Sequence, residues 1–130
     1  MRNIKIILEY DGTKYSGWQI QDNTSSTIQQ VVEDNLSQLN KRKIKVTGAG
    51  RTDAGVHAAH QVANFQLHVD IPVTNIPEAL NSMLPPDIIC KQAKEVDSSF
   101  HARYDARGKL YRYRIINRAY SSVFRRYFVY

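Results

Sequence analysis

The sequence predicts a single α+β domain in which helices cover one face of an antiparallel sheet. Its 130 residues are 42% hydrophobic, which suits one globular domain with its own core. Segments in which apolar residues alternate are separated by segments with helical spacing. Their order is strand, helix, two strands, helix and strand, followed by one further strand. This order is the split β-α-β pattern of ferredoxin-like domains.

The first predicted strand spans residues 3–10, where apolar and polar side chains alternate. Its apolar face is formed by Ile4, Ile6, Leu8 and Tyr10. Asp11 and Gly12 then indicate a turn, and a polar loop follows to about residue 26. We expect Trp18, which lies in this loop, to pack against the core.

Apolar residues at helical spacing predict an amphipathic helix at about 27–39. These residues are Ile28, Val31, Val32, Leu36 and Leu39. Two overlapping pairs fit a capping box at its start, namely Ser26 with Gln29 and Thr27 with Gln30. The basic run at 41–43 suits the negative end of the helix dipole, so we interpret it as the helix end and not as an RNA contact.

The remaining predicted elements are strands and one short helix. Ile44 and Val46 alternate with polar residues and predict a second strand that leads into a glycine-rich loop. The others are a third strand at 61–67 with Ala63, Phe65 and Leu67 on one face, a short helix at about 76–83 ended by Pro85 and Pro86, a fourth strand at 88–96, and a last long strand after Gly108.

The net charge of +6 is concentrated at one end of the sequence. Residues 1–100 carry 10 Lys and Arg against 11 Asp and Glu, whereas residues 101–130 carry 8 Lys and Arg against Asp105 alone. Six of the eight tyrosines lie in the same last stretch. Because arginines interleaved with tyrosines suit phosphate contacts combined with base stacking, this pattern favours a nucleic-acid partner.

The cysteine content and the length of the apolar runs indicate a cytoplasmic protein. Cys90 is the single cysteine and lies in an apolar segment, so an intramolecular disulfide is excluded and a core position is expected. No apolar run approaches the length of a membrane span. The start at Met1 predicts a strand and not a signal peptide, and we expect no membrane partner.

A short loop of small residues at 48–58 contains one carboxylate, Asp53. Arg51 precedes it by two positions and His57 follows it by four. Asp is unfavourable inside helices and strands, so Asp53 is either the cap of a tight turn, with Arg51 as its ion-pair partner, or a reacting group. The pattern alone leaves both alternatives open.

The histidines of the chain do not predict a metal site. We interpret His57 as a hydrogen-bonded loop residue and not as a general base. Zinc ligands require a characteristic spacing, which is absent from the set His57, His60, Cys90 and His101, so we expect no metal. A phosphate-binding loop at Gly48 and Gly50 is also disfavoured, because the Lys-Ser/Thr ending is absent.

Four motifs in order along the chain resemble the TruA family of tRNA pseudouridine synthases. They are EYDG at 9–12 with GWQ at 17–19, GRTDAGVH at 50–57, FHAR at 100–103, and YRY at 111–113. One of these motifs would be weak support for the resemblance. All four at this spacing favour a catalytic Asp53 over the turn interpretation.

The resemblance implies a tRNA-modifying isomerase that needs neither metal nor organic cofactor. Members of the family convert uridines of the tRNA anticodon stem-loop to pseudouridine and act as homodimers. The essential family aspartate falls on Asp53. The arginine that contacts RNA or holds the flipped nucleotide falls on Arg51, and the tyrosine that packs against the target base falls on Tyr111.

The resemblance also implies that residues 1–130 are the N-terminal catalytic half of a two-domain fold. Family members combine two similar α+β halves whose strands form one sheet, with the active-site cleft between them. The chain stops at Tyr130 after an apolar, strand-forming run, so we expect the C-terminal half to be absent. This half alone is expected to be inactive and to associate through its open sheet edge.

An ionised Asp53 can serve pseudouridine formation by two routes. It can attack ribose C1′ or uracil C6 as a nucleophile, or remove the C2′ proton to give a glycal. Both routes need an extruded base, on which Tyr111 can stack for on the order of 1–3 kcal/mol. Arg51, or another arginine, would favour the charged carboxylate. Further contacts to tRNA phosphates are assigned to Arg103, Lys109, Arg112 and Arg114.

Two other functions are consistent with the residues. One is a non-catalytic RNA-binding module, in which exposed aromatic residues of the sheet bind single-stranded RNA. The other is a small interaction domain whose basic strand meets an acidic protein. Asp53→Ala should abolish product formation in an enzyme and change little in an RNA-binding module. A tRNA affinity that falls steeply with salt would distinguish an RNA partner from an acidic protein.

Overall fold

The computed structural model describes residues 1–22 and 26–108. Within these residues the chain forms β1 (Arg2–Tyr10), α1 (Ile28–Asn40), β2 (Thr47–Gly48), β3 (Ala58–Leu67), α2 (Ile76–Asn81) and β4 (Ile88–Val96). Short 3-10 turns follow β1 at Gly12–Lys14 and precede α2 at Val73–Asn75. The strand predicted after Gly108 lies outside the described residues.

The sheet has the order β2-β3-β1-β4, and every pair of neighbours is antiparallel. β3 lies between β1 and β2, and β1 lies between β3 and β4. Each strand–helix–strand unit is therefore split by a strand of the other unit. This arrangement confirms the predicted α+β fold with a split β-α-β order.

The core lies between the helices and one face of the sheet. The alternation predicted in β1 is confirmed, since Ile4, Ile6 and Leu8 are fully buried. Opposite them, β3 contributes Phe65 and Ala63, which pair with Ile4 and Ile6 in the strand register. The helices add buried side chains at Ile28, Val32, Leu36, Ile76 and Leu80. Each such aliphatic side chain contributes roughly 1.5–3 kcal/mol by its burial.

The N-terminus of α1 is capped by Thr27 and not by Ser26. The Gln30 amide donates to the Thr27 hydroxyl at 3.2 Å, which satisfies one of the first backbone donors of the helix. The helix ends at Asn40, and Lys41 follows in the left-handed conformation with φ of 58°. The basic run at 41–43 therefore follows the helix, as predicted.

The second strand is shorter than predicted, because it contains Thr47–Gly48 only. Residues 44–46 were expected in this strand, but α1 side chains bind their backbone groups. The Ile44 amide donates to Ser37 Oγ at 2.8 Å, and the Val46 amide donates to Glu33 Oε2 at 2.9 Å. Gln29 Nε2 donates to the Val46 carbonyl at 2.8 Å. These bonds replace the ladder to β3.

The second helix is also shorter than predicted and ends at Asn81. The amides of Met83 and Leu84 both donate to the Leu80 carbonyl, which closes the chain into a tight turn. The turn precedes Pro85, and the residue before a proline is disfavoured in helical conformation. β4 occupies the predicted residues 88–96.

The burial of Glu33 predicts a pH-dependent stability. Burial and the neighbouring Asp34 raise the pKa of this carboxyl, while the Val46 amide and the nearby Lys43 and Lys45 lower it. The folded chain therefore keeps the proton at pH values where the unfolded chain has released it, and the ionised form costs stability near neutrality. Lowering the pH through this range removes that cost. The unfolding free energy of the wild type should rise relative to Glu33→Gln as the pH falls from about 7 to about 5.

Urea unfolding of both proteins at the two pH values measures this effect. Asp70→Asn, an exposed carboxylate outside the group of charges around Glu33, controls for the change in formal charge. A difference between wild type and Glu33→Gln that does not change with pH would contradict the prediction.

Candidate active site

The aspartate loop, residues 49–57, connects β2 to β3. It leaves the sheet at Ala49, whose amide donates to the Val62 carbonyl at 2.8 Å. Gln61 Nε2 donates to the Gly50 carbonyl at 2.6 Å. Strand β3 therefore holds the beginning of the loop as well as its end.

The polar segment 12–18, which follows β1, holds the middle of the aspartate loop. The Trp18 amide donates to the Thr52 carbonyl at 3.0 Å, and the Gly55 amide donates to the Tyr15 carbonyl at 3.2 Å. The Tyr10 hydroxyl lies 2.9 Å from the Thr52 hydroxyl. Trp18 is 1% exposed, as predicted for a residue that packs on the core. The two segments thus form one hydrogen-bonded unit around Asp53.

Gly17 permits the close approach of these two segments. Its φ is +87°, and an added Cβ would lie 2.5 Å from the Thr52 carbonyl oxygen. A residue with a side chain would have to adopt an unfavourable backbone conformation and also displace the loop. The glycine therefore allows the Trp18–Thr52 hydrogen bond beside it.

Asp53 is exposed at the outer part of the loop. Its backbone carbonyl accepts a hydrogen bond from the Val56 amide at 3.1 Å, which closes a tight turn. Among the described residues, no hydrogen bond or ion pair occupies its carboxylate, and none joins it to Arg51. The turn is held by the main chain, so the carboxylate is available to a ligand.

Arg51 and Arg103 lie on the same cavity, although 52 positions separate them in the sequence. The cavity has a volume of about 350 Å³. Its lining residues are Trp18, Gln19, Gly48, Ala49, Gly50, Arg51 and Arg103. Both arginines are exposed. Asp53 is outside this lining, two residues beyond Arg51. The cavity is thus lined by two arginines and a run of small residues, which suits an anionic ligand.

His57 has the structural role that the sequence predicted. Its Nδ1 accepts from the Gly12 amide at 3.0 Å and lies 3.2 Å from Asp11 Oδ1. The hydrogen bonds that the Thr13 hydroxyl and amide donate hold the pKa of Asp11 below its ordinary value. His57 therefore fastens the end of the aspartate loop to the turn after β1.

Cys90 is a core residue, as predicted. It is 2% exposed, and burial raises the pKa of its thiol to about 11. The thiolate is therefore scarce at neutral pH, which is unfavourable for a nucleophile. Across residues 1–22 and 26–108, no group of three His, Cys, Asp or Glu side chains is arranged to hold a metal ion.

Four of the predicted site residues lie outside the described residues. They are Lys109, Tyr111, Arg112 and Arg114.

The sequence did not single out two buried side chains that contribute to the surroundings of the site. Asn3 and Asn64 are 3% and 7% exposed and hydrogen-bond each other at 3.1 Å. The signal for Asn64 was an amide among apolar residues of a strand, next to the buried Phe65.

Comparison with known proteins identifies the family of this α+β domain. A family model described as tRNA pseudouridine synthase matches residues 6–105. The match contains β1 from Ile6 onward, the other three strands, both helices and the aspartate loop. The chain belongs to the tRNA pseudouridine synthase family.

Individual relatives support this assignment. The chain is 50% identical to tRNA pseudouridine synthase A of Thermoanaerobacter sp. (strain X514) over 120 residues, which cover 92% of this chain and 49% of the relative. It is 50% identical to tRNA pseudouridine synthase A of Acetivibrio thermocellus over its whole length, which covers 53% of that protein. Identity to tRNA pseudouridine synthase A 2 of Clostridium perfringens is 48%, with the same coverage.

The chain spans about half the length of these relatives. Neither helix of the described part of the chain has the length and apolar character needed to cross a membrane.

Proposed function

We propose that the protein isomerises uridine to pseudouridine in the anticodon stem-loop of tRNA, with Asp53 as the essential carboxylate. The observation that carries this proposal is the exposed carboxylate of Asp53 on a loop whose main chain is held by its neighbours. A reacting group needs a fixed position and an unoccupied functional atom, and Asp53 has both within the described residues. Family membership supplies the reaction class.

The reaction breaks the bond between ribose C1′ and uracil N1 and joins C1′ to uracil C5 after the base has turned. Asp53 acts either as the nucleophile at C1′ or C6 or as the base that removes the C2′ proton. Both routes place the carboxylate against an extruded nucleotide, because the sugar is inaccessible within a stacked helix. Tyr111 stacks on the extruded uracil in this proposal.

The cavity lined by Arg51 and Arg103 binds the RNA backbone next to the target nucleotide. Guanidinium groups bind phosphate oxygens through charge-assisted, bidentate hydrogen bonds. Further tRNA phosphates are assigned to Lys109, Arg112 and Arg114. The protein acts on tRNA without a metal or an organic cofactor, as a homodimer in the cytoplasm.

The test is the incubation of unmodified bulk tRNA with the intact protein, that is, residues 1–130 together with any remainder of the protein to which they belong. Pseudouridine is then mapped by carbodiimide stops. We expect product in the anticodon arm, and none with the 130-residue chain alone. If the intact protein bound tRNA but gave no product at any anticodon-arm position, the non-catalytic RNA-binding module would replace this proposal.

A further inference from the structure

Two buried asparagines attach the segment after β4 to the face of the sheet opposite the core. Asn3 Nδ2 donates to the carbonyls of Asp97 and Phe100, at 2.9 and 3.0 Å. Asn64 Nδ2 donates to Asn3 Oδ1, and Asn64 Oδ1 accepts from the Ala102 amide at 2.8 Å. Asn64 pairs with Lys5 in the strand register, and the Lys5 ammonium lies 5.8 Å from the centroid of the Phe100 ring.

These contacts satisfy both side-chain amides. Asn3 and Asn64 each use the oxygen and the nitrogen of the side chain, and Ala102 is itself 2% exposed. A buried amide or backbone N–H without a partner costs roughly 1–3 kcal/mol. Movement of the segment away from the sheet would leave several such groups unpaired. The asparagine pair therefore fixes where residues 97–102 lie on the sheet.

Arg103 follows the fixed residue Ala102 directly and lies in a short turn. The Asp105 amide donates to the His101 carbonyl at 2.9 Å, and the His101 amide donates to Asp105 Oδ2 at 2.7 Å. The backbone of Arg103 is thus held between the Asn64 contact and the closed turn. Arg103 lines the cavity that Arg51 also lines, and its guanidinium carbon lies 5.3 Å from the centroid of the Tyr104 ring.

We propose that Asn64 is a positioning residue that holds Arg103 beside Arg51, so that both guanidinium groups bind the phosphate backbone of one RNA. The proposal rests on the proposed function, because it takes RNA as the ligand of the cavity. Arg51 reaches the cavity from the aspartate loop and does not depend on Asn64. Arg103 reaches it only through the segment that Asn64 holds. Preorganisation of Arg103 lowers the entropy cost of binding.

The experiment is a double-mutant cycle on tRNA binding by the intact protein. Asn64→Ala is combined with Arg103→Ala and, as the matched control, with Arg51→Ala. We expect Asn64→Ala alone to weaken tRNA binding about five- to tenfold. It should also reduce the slope of log affinity against log salt by about one, which is the loss of one phosphate contact.

The combination of variants decides between positioning and a general structural role. In the Arg103→Ala background, Asn64→Ala should weaken binding less than about twofold further, since the group it positions is gone. In the Arg51→Ala background, Asn64→Ala should weaken tRNA binding as much as it does in the wild type. Equal effects in the two backgrounds would overturn the proposal, because a loss of folded protein affects both equally.

Asn64→Asp keeps the test decisive if Asn64→Ala does not fold. The aspartate retains an oxygen for the Ala102 amide and gives up the bond to Asn3 Oδ1. We expect this variant to keep the wild-type salt slope. A slope reduced as much as in Arg103→Ala, in an Asn64→Asp protein with unchanged thermal unfolding, would also overturn the proposal.

The result of this double-mutant cycle can be distinguished from the result of the pseudouridine assay that tests the proposed function. If the intact protein made no pseudouridine but the coupling between Asn64 and Arg103 persisted in tRNA binding, the positioning role would stand without the enzymatic one. If Arg103→Ala left both affinity and salt slope unchanged, the positioning role would fall, whatever the activity.

Discussion

Replacement of Asp53 by asparagine is expected to abolish pseudouridine formation by the intact protein, with a loss of at least about 10³-fold in rate. Asparagine has nearly the same size as aspartate but can act neither as an anionic nucleophile nor as a base. The affinity for tRNA should stay within about twofold of the wild type, since RNA binding is assigned to other side chains.

The structure also predicts that Asp53→Asn folds normally. The carboxylate is exposed and makes no hydrogen bond or ion pair with the described residues, so the unfolding free energy should change by less than about 0.5 kcal/mol. Asp70→Asn, another exposed carboxylate, is the control and should retain activity. Full product formation by Asp53→Asn, mapped by carbodiimide stops, would exclude the catalytic role.

Replacement of Gly17 by alanine is expected to give the largest loss of stability among these variants. The positive φ of +87° costs a residue with a side chain roughly 1–2 kcal/mol. The overlap of the new Cβ with the Thr52 carbonyl adds roughly 1–3 kcal/mol. The aspartate loop must also shift, and a displacement of about 1 Å can cost about 10²-fold in rate.

Gly55 provides a matched control for Gly17. It has a similar φ of +79°, but an added Cβ would meet nothing within 4 Å. Gly55→Ala should therefore lose only the backbone contribution of roughly 1–2 kcal/mol. Urea unfolding of the two variants measures the difference. Equal losses would contradict the expected cost of the overlap between the new Cβ and the Thr52 carbonyl.

The strands and helices were predictable where the pattern is local. Alternation along β1 and the apolar spacing of α1 reflect which face meets the core, so both elements were confirmed. The length of β2 was not predictable. It depends on bonds from Glu33 and Gln29, 13 and 17 positions away from Val46, and no periodicity in the sequence indicates which side chain will reach a backbone group.

The candidate site was predictable in one part only. The small residues around Asp53 and the four motifs indicated the aspartate loop. The shared cavity of Arg51 and Arg103 depends on the pairing of β1 with β3 and on the Asn64–Ala102 hydrogen bond. Such contacts join residues that are distant in sequence, so the spacing of motifs along the chain does not indicate them.

The tethering of the aspartate loop at Gly50, Thr52, Gly55 and His57 has a consequence for selectivity. Because the loop fixes the position of the carboxylate, the conformational change needed for reaction must occur in the substrate. On the proposed function, each tRNA must bring its own uridine out to the carboxylate, and the work of opening is done on the nucleic acid. Rates among tRNAs would then follow how readily each stem-loop opens.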